Sequence, residues 1–114
     1  MEIRSKIWLE VEGEPVFGGG RQALLQWIDK YGSINKAAKE INISYRKALS
    51  YIQAMEQRLG VKLVERRVGG RNGGGATLTR DAKDFLKKYE RLEHGINRMI
   101  DRRFLKVFSW GGRI

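Results

Sequence analysis

The segment Ser33–Gly60, SINKAAKEINISYRKALSYIQAMEQRLG, decides the fold. Ile34, Ala37, Ala38 and Ile41 recur at helical spacing, and Ser33 stands where an N-cap hydroxyl is wanted. Asn42-Ile43 interrupts that face. Ser44 then offers a second N-cap, and Ala48, Ile52, Met55 and Leu59 form a second apolar stripe that ends at Gly60. The small residues Ala37 and Ala38 allow two helices to approach closely, and Ile41 and Ile43 fill the corner between them. Residues 33–59 therefore predict a helix-turn-helix.

Burying the Ala48–Leu59 stripe decides what the second helix shows to solvent. At about 100° per residue, Arg46, Ser50, Gln53 and Gln57 point away from the core. Arg46 suits a bidentate contact to a guanine edge, Gln53 an adenine edge, and Ser50 a base or a phosphate. Lys47 projects to one side, and Tyr45 and Tyr51 flank the core. Lys47, Tyr45 and the Ser44 hydroxyl suit phosphates. A merely solvated helix face would carry similar residues, so the elbow and the segment that follows it decide between the two.

That next segment is VERRVGGRNGGGATLT, Val64–Thr79. Lys62–Val68 reads as a strand, Gly69–Gly75 as a loop and Ala76–Leu78 as a return strand: a wing over residues 62–78. Glycine loses more backbone freedom than any other residue on folding, so a loop this rich in it needs a reason. A backbone without side chains can lie close to a phosphate or in a minor groove, and arginines supply the charge a narrow groove attracts. Arg66, Arg67, Gly70, Arg71, Asn72, Gly73 and Gly74 are the expected wing contacts. A plain surface loop would explain the glycines but not the clustered arginines.

Upstream, Ile3–Glu12 alternates apolar and polar residues, with Ser5 and Trp8 as exceptions, and predicts a strand, turned by Gly13-Glu14-Pro15. Arg21–Tyr31 changes to helical spacing through Leu24, Leu25, Ile28 and Tyr31, and ends at Gly32. Downstream, Thr79 caps a last helix over residues 79–103, with apolar residues at Ala82, Phe85, Leu86, Tyr89, Leu92, Ile96, Met99 and Ile100. Such a helix exceeds about 20 residues, or roughly 30 Å, which is more than a core this small covers. Phe85, Tyr89, Leu92, Ile96, Met99 and Ile100 are therefore expected to meet a second copy of the chain. A break at Gly95, with the helix folding back, is the competing expectation. The tail Phe104–Trp110 is apolar, and its role is not legible. The fold class expected is α+β: one winged helix-turn-helix domain over residues 1–114, with an N-terminal strand and a long C-terminal helix.

Charge points to the partner. The chain carries 23 Lys and Arg against 13 Asp and Glu, a net charge of +10. Cations that displace condensed counterions from a phosphate backbone gain free energy by releasing them. Charge alone does not separate DNA, RNA and an acidic membrane. No apolar run is long enough to span a bilayer, and MEIRSKIWLE is too charged for a signal peptide, which makes the cytoplasm the default compartment. With no Cys, neither a disulfide nor a thiolate metal site is available.

Other chemistries fit poorly. Gly18-Gly19-Gly20-Arg21-Gln22-Ala23 matches G-x-G-x-x-A, but a dinucleotide site needs a βαβ unit, and helices follow here. Neither glycine cluster precedes Lys-Ser/Thr, so no Walker-type loop is present. His94 is the single His and lacks companions for general-base or metal chemistry. Trp8, Trp27 and Trp110 fit core or interface better than base stacking. No enzyme, cofactor, metal or small-molecule ligand is assigned.

On these motifs the chain resembles the winged helix-turn-helix domain of ModE-type molybdate-responsive regulators. Ile43–Arg46 and the GG-x-x-GGGA-x-LT pattern at Gly69–Thr79 carry the resemblance, which covers roughly Leu9–Leu92. LGVKLVER, Leu59–Arg66, is also similar to the more distant LysR-type regulators. The resemblance implies a homodimer, DNA binding through Ser44–Gln53 and the wing, and dimerisation partly through the last helix. Two departures stand out. ModE-type regulators usually continue into molybdate-binding domains whereas this sequence stops at Ile114, so no metal sensing is expected of it; and Ala82 stands where the family usually has Gly.

The expected function is a homodimeric regulator that binds double-stranded DNA sequence-specifically. A sequence-indifferent packaging protein and a protein-interaction module on the same scaffold are the alternatives. RNA fits less well, because no aromatic array marks a sheet face.

Overall fold

The computed structural model describes residues 1–67 and 75–109. Its elements run β1 (Leu9–Val11), β2 (Glu14–Phe17), α1 (Gly19–Tyr31), α2 (Ile34–Glu40), α3 (Tyr45–Leu59), β3 (Val64–Arg66), β4 (Ala76–Leu78) and α4 (Arg80–Val107). The strands form two antiparallel hairpins, β1 with β2 and β3 with β4. Helices α1–α3 pack together between them. The α+β winged helix-turn-helix expected from the sequence is the fold observed.

The N-terminal strand is shorter than its alternation suggests. Only Leu9–Val11 pairs, because β2 offers just four residues, with Leu9 opposite Phe17 and Val11 opposite Glu14. Glu12 and Gly13 turn the hairpin with φ of 51° and 81°, the left-handed pair that matches strand twist. The residues before Leu9 lie along α4 instead. Tyr89 donates its hydroxyl to the Ile7 carbonyl at 3.0 Å, and Ser5 Oγ donates to Asn97 Oδ1 at 2.9 Å.

Helix α1 begins at Gly19, two residues before its expected start, with Gly18 as an extended N-cap. Gly18 packs closely against Trp8: a Cβ there would lie 3.2 Å from Trp8 Cβ, so the Trp8 side chain would have to give way. The serine caps behave as expected. Ser33 Oγ accepts from Lys36 N–H at 3.1 Å and Ser44 Oγ from Lys47 N–H at 3.0 Å. Between α2 and α3 the chain turns at Asn42, whose φ of 59° is a left-handed conformation that Asn tolerates better than most residues. Ile43 N–H closes the elbow on the Ala38 carbonyl at 3.0 Å. Ala37 and Ala38 are buried between the helices.

In the β3–β4 hairpin Val64 lies opposite Leu78 and Arg66 opposite Ala76, so the strand starts two residues after the expected Lys62, while its expected end, Val68, lies outside the described residues. Its base is held by side chains. Thr79 Oγ1 donates to the Lys62 carbonyl at 2.7 Å and accepts from Ala82 N–H at 3.1 Å, so one hydroxyl closes the hairpin and caps α4. Ala76 N–H donates to the Gly32 carbonyl at 2.9 Å, which ties the return strand to the end of α1.

The core gathers Leu24, Leu25 and Ile28 of α1 with Ala48, Ile52 and Met55 of α3 and Leu63, Leu78 and Ala82 around them. Phe17 meets Phe85 and Tyr89 edge-on, each at 4.8 Å between ring centres. Helix α4 has 28 residues and runs unbroken through Gly95, so it does not fold back there, and it extends past residue 103 to Val107. At 1.5 Å per residue it is about 42 Å long. No residue of α4 beyond Tyr89 is buried. The molecule accordingly measures 64 × 28 × 23 Å, with a radius of gyration of 17.7 Å, against about 13 Å for a compact domain of this size. The distal half of α4 extends beyond the core, with the N-terminal segment beside it at Asn97 and Ile100.

Candidate nucleic-acid interface

Helix α3 lies with Ala48, Ile52 and Met55 buried and with Arg46, Ser50, Gln53 and Gln57 exposed. Among the described residues none of these four side chains has a hydrogen-bond or ion-pair partner. Their donors and acceptors are all open to a ligand. The first turn carries Arg46 and Lys47 and no acidic residue, so side-chain charge adds to the positive end of the helix dipole. That is an electrostatic arrangement for an anion.

The residues expected at phosphates surround this face. The Ser44 hydroxyl oxygen is taken up as the cap of α3, which leaves its proton free to donate. Tyr45 is exposed, and its hydroxyl accepts from Arg66 Nη1 at 3.3 Å. Helix α3 and the wing strand β3 therefore meet at this pair. Lys47 Nζ lies 5.8 Å from the centre of the Tyr51 ring.

On the wing, Arg66 is exposed on β3 and Arg67 N–H donates to the Gly75 carbonyl at 2.8 Å. A Cβ on Gly75 would lie 3.7 Å from Arg67 Nη2 and 3.5 Å from the Gly32 carbonyl. Gly70, Arg71, Asn72, Gly73 and Gly74 lie outside the described residues.

The stripe on α4 divides in two. Phe85 and Tyr89 pack against Phe17 within the same chain, and Tyr89 is buried there, so these two serve the monomer's own core. Leu92 and Met99 are 45% and 64% exposed, and Ile96 and Ile100 half-buried. The exposed part of the stripe starts at Leu92.

Two features escaped sequence reasoning. Glu56 Oε2 accepts from the backbone N–H groups of Leu63 at 2.8 Å and Val64 at 3.2 Å, which fixes β3 against α3. Arg21, in the first turn of α1, places its guanidinium 4.7 Å from the centre of the Tyr51 ring. Neither is marked by a local motif; both depend on which elements become neighbours.

The other possibilities take ordinary places. Gly18-Gly19-Gly20 starts α1, and α1 is followed by α2 rather than by a parallel strand, so no βαβ unit forms. His94 is exposed on α4, Trp27 stacks on Tyr31 at 5.3 Å, and Trp8 Nε1 donates to Glu10 at 2.7 Å. Among the described residues no helix is long and apolar enough to cross a membrane.

Known proteins share this arrangement. Residues 22–83, more than half of the chain, match the model of bacterial regulatory helix-turn-helix proteins of the lysR family. The chain is 44% identical over 73 residues to the transcriptional regulator ModE of Haemophilus influenzae, a match covering 64% of this chain and 29% of that protein. It is 37% identical over 83 residues to the molybdenum-pterin-binding protein MopB of Rhodobacter capsulatus, covering 73% and 31%. The chain thus spans about three tenths of the length of these curated relatives. Among solved structures, the CbnR_DBD–DNA complex superposes with a TM-score of 0.58 at 28% identity, covering 76% of this chain and 94% of that one. The chain belongs to the lysR family of bacterial regulatory helix-turn-helix proteins, and its sequence is similar to ModE-type regulators.

Proposed function

We propose that this chain binds duplex DNA sequence-specifically as a homodimer and regulates transcription. One observation carries the reading: Arg46, Ser50, Gln53 and Gln57 form an exposed, unpartnered face at and beyond the N-terminal end of α3, beside a cationic wing. That face fits a major groove, where Arg46 can take the N7 and O6 acceptors of guanine and Gln53 can pair with an adenine edge. Arg66, Arg67 and Arg71 would lie along the backbone or the minor groove. The match to regulators and the superposition on a DNA-bound domain support it.

The dimer is supported by α4. Its exposed apolar residues from Leu92 onward lie on a helix that extends beyond the core, where a second copy is the simplest cover. Two copies related by a twofold axis would read half-sites about one helical turn apart, or a multiple of it.

Selection from random duplexes at about 150 mM salt tests the proposal, since non-specific binding is weakened there. An enriched inverted repeat is expected. Retention without enrichment would favour a packaging protein, the reading that the net charge of +10 by itself supports. Failure to retain any duplex would leave the long helix as the working surface.

A further inference from the structure

Helix α3 has two flanks, and only one of them faces the wing. At about 100° per residue, Leu49, Gln53 and Glu56 share one flank, and Lys47, Tyr51 and Arg58 lie about 180° around the helix. The wing occupies the first: Glu56 holds the backbone of Leu63 and Val64, and Leu49 and Gln53 line a small cavity with Val64 and Arg66. Arg46, Ser50 and Gln57 lie between the flanks, opposite the core.

The second flank is cationic, and among the described residues only one of its cations meets a carboxylate. Arg58 is engaged, donating to the Pro15 carbonyl at 2.9 Å and lying 4.0 Å from Glu14. Arg21 and Lys47 differ. Among the described residues neither pairs with an acid, and Arg21 Nε is buried with no hydrogen-bond partner. Both lie against one ring, the Arg21 guanidinium 4.7 Å and the Lys47 ammonium 5.8 Å from the centre of Tyr51. An aromatic face attracts cations and positions them, but it does not neutralise their charge. Lys47 is exposed and Arg21 half-buried, so both charges remain open to an anion. A major groove is bordered by a phosphate backbone on each side, and a helix lying in it has one backbone along each flank.

We propose that Arg21 and Lys47, held on Tyr51, form a second phosphate seat on the flank of α3 opposite the wing. The duplex is then gripped through both backbones that border the groove α3 enters. Arg21 takes this role from another helix, α1, so the seat also fixes the angle between α1 and the DNA. This inference rests on the DNA-binding reading and adds a contact to it.

Neutralising single phosphates as methylphosphonates in the duplex recovered by selection tests the seat with the unaltered full chain. Two groups of sensitive phosphates are expected, one on each side of the groove entered by α3. The variant Arg21→Gln should lose sensitivity only in the group opposite the wing. Its plot of log affinity against log salt should flatten by about 0.9, the value of one B-DNA phosphate contact, on preferred and scrambled duplexes alike. A folded Arg21→Gln with an unchanged salt slope overturns the proposal. If that variant does not fold, the wild-type pattern decides, and sensitivity confined to the wing side overturns it as well. Absence of any duplex binding by the wild type would overturn the DNA-binding reading with it; a one-sided pattern overturns the second seat alone.

Discussion

A single carboxylate oxygen, Oε2 of Glu56, accepts the backbone N–H of Leu63 at 2.8 Å, joining the recognition helix to the strand that begins the wing. The same oxygen accepts from Val64 at 3.2 Å. Both donors would otherwise be half-buried without partners. The angle between helix and wing, and so the position of Arg66 relative to Arg46, depends on this contact.

Removing it should therefore cost stability and alignment together. Glu56→Ala strands two part-buried N–H groups and is expected to lose about 1–3 kcal/mol by denaturant unfolding. Glu56→Gln keeps an oxygen that can accept both bonds, and should retain most of that stability. If alanine and glutamine behave alike, the contact does not hold the wing.

The elbow makes a separate prediction. Asn42 has φ of 59°, where Asn is tolerated and a β-branched residue is strained. Asn42→Val should destabilise by about 1–2 kcal/mol, whereas Asn42→Gly should stay close to wild type. Thermal unfolding of the two variants checks this, and equal losses would contradict the left-handed turn.

Much of this fold is legible in the sequence because it is written in local chemistry. Ser33, Ser44 and Thr79 announce three helix starts, and the Ala37, Ala38, Ile41 and Ile43 pattern announces the elbow. The stripe from Ala82 to Ile100 announces a helix longer than its core. What fails to show is pairing. Ile3–Glu12 alternates except at Ser5 and Trp8, yet only Leu9–Val11 finds a strand, because β2 is short and Tyr89 takes the Ile7 carbonyl. The site divides similarly. The outward set on α3 follows from helical spacing, while Arg21 reaches Tyr51 only through the packing of α1 beside α3. Phe85 and Tyr89 belong to the same stripe as Leu92 and Met99, and only the position of Phe17 separates core from free surface.

Tyr89 is expected to make stability fall at alkaline pH. Burial, and secondarily the nearby Glu93 carboxylate, raise its phenol above the ordinary 10.0. The folded state then holds this proton more tightly than the unfolded state. The associated stability is present below pH about 10 and is lost as pH rises through the elevated folded value. Denaturation followed from pH 8 upward should show this decline, and Tyr89→Phe should reduce it. An identical decline in the phenylalanine variant would assign it to other groups.

The free part of α4 predicts the assembly. Met99 is 64% exposed and Leu92 45%, so Met99→Glu and Leu92→Glu should leave the fold of the monomer intact. In the proposed dimer they bring like charges to an apolar seam. Sedimentation should show a shift from dimer towards monomer with unchanged helical content. A wild type that sediments as a monomer at high concentration would contradict the interface.

The most direct test of the central claim compares base preferences selected by the wild type and by Arg46→Ala under the same salt. Arg46 is exposed and unpartnered on the outward face of α3, and its loss should cost about 1–3 kcal/mol and relax one base pair in each half-site. Preference at the remaining positions should persist. If Arg46→Ala selects the same sequences with the same discrimination, α3 does not lie in the groove as proposed.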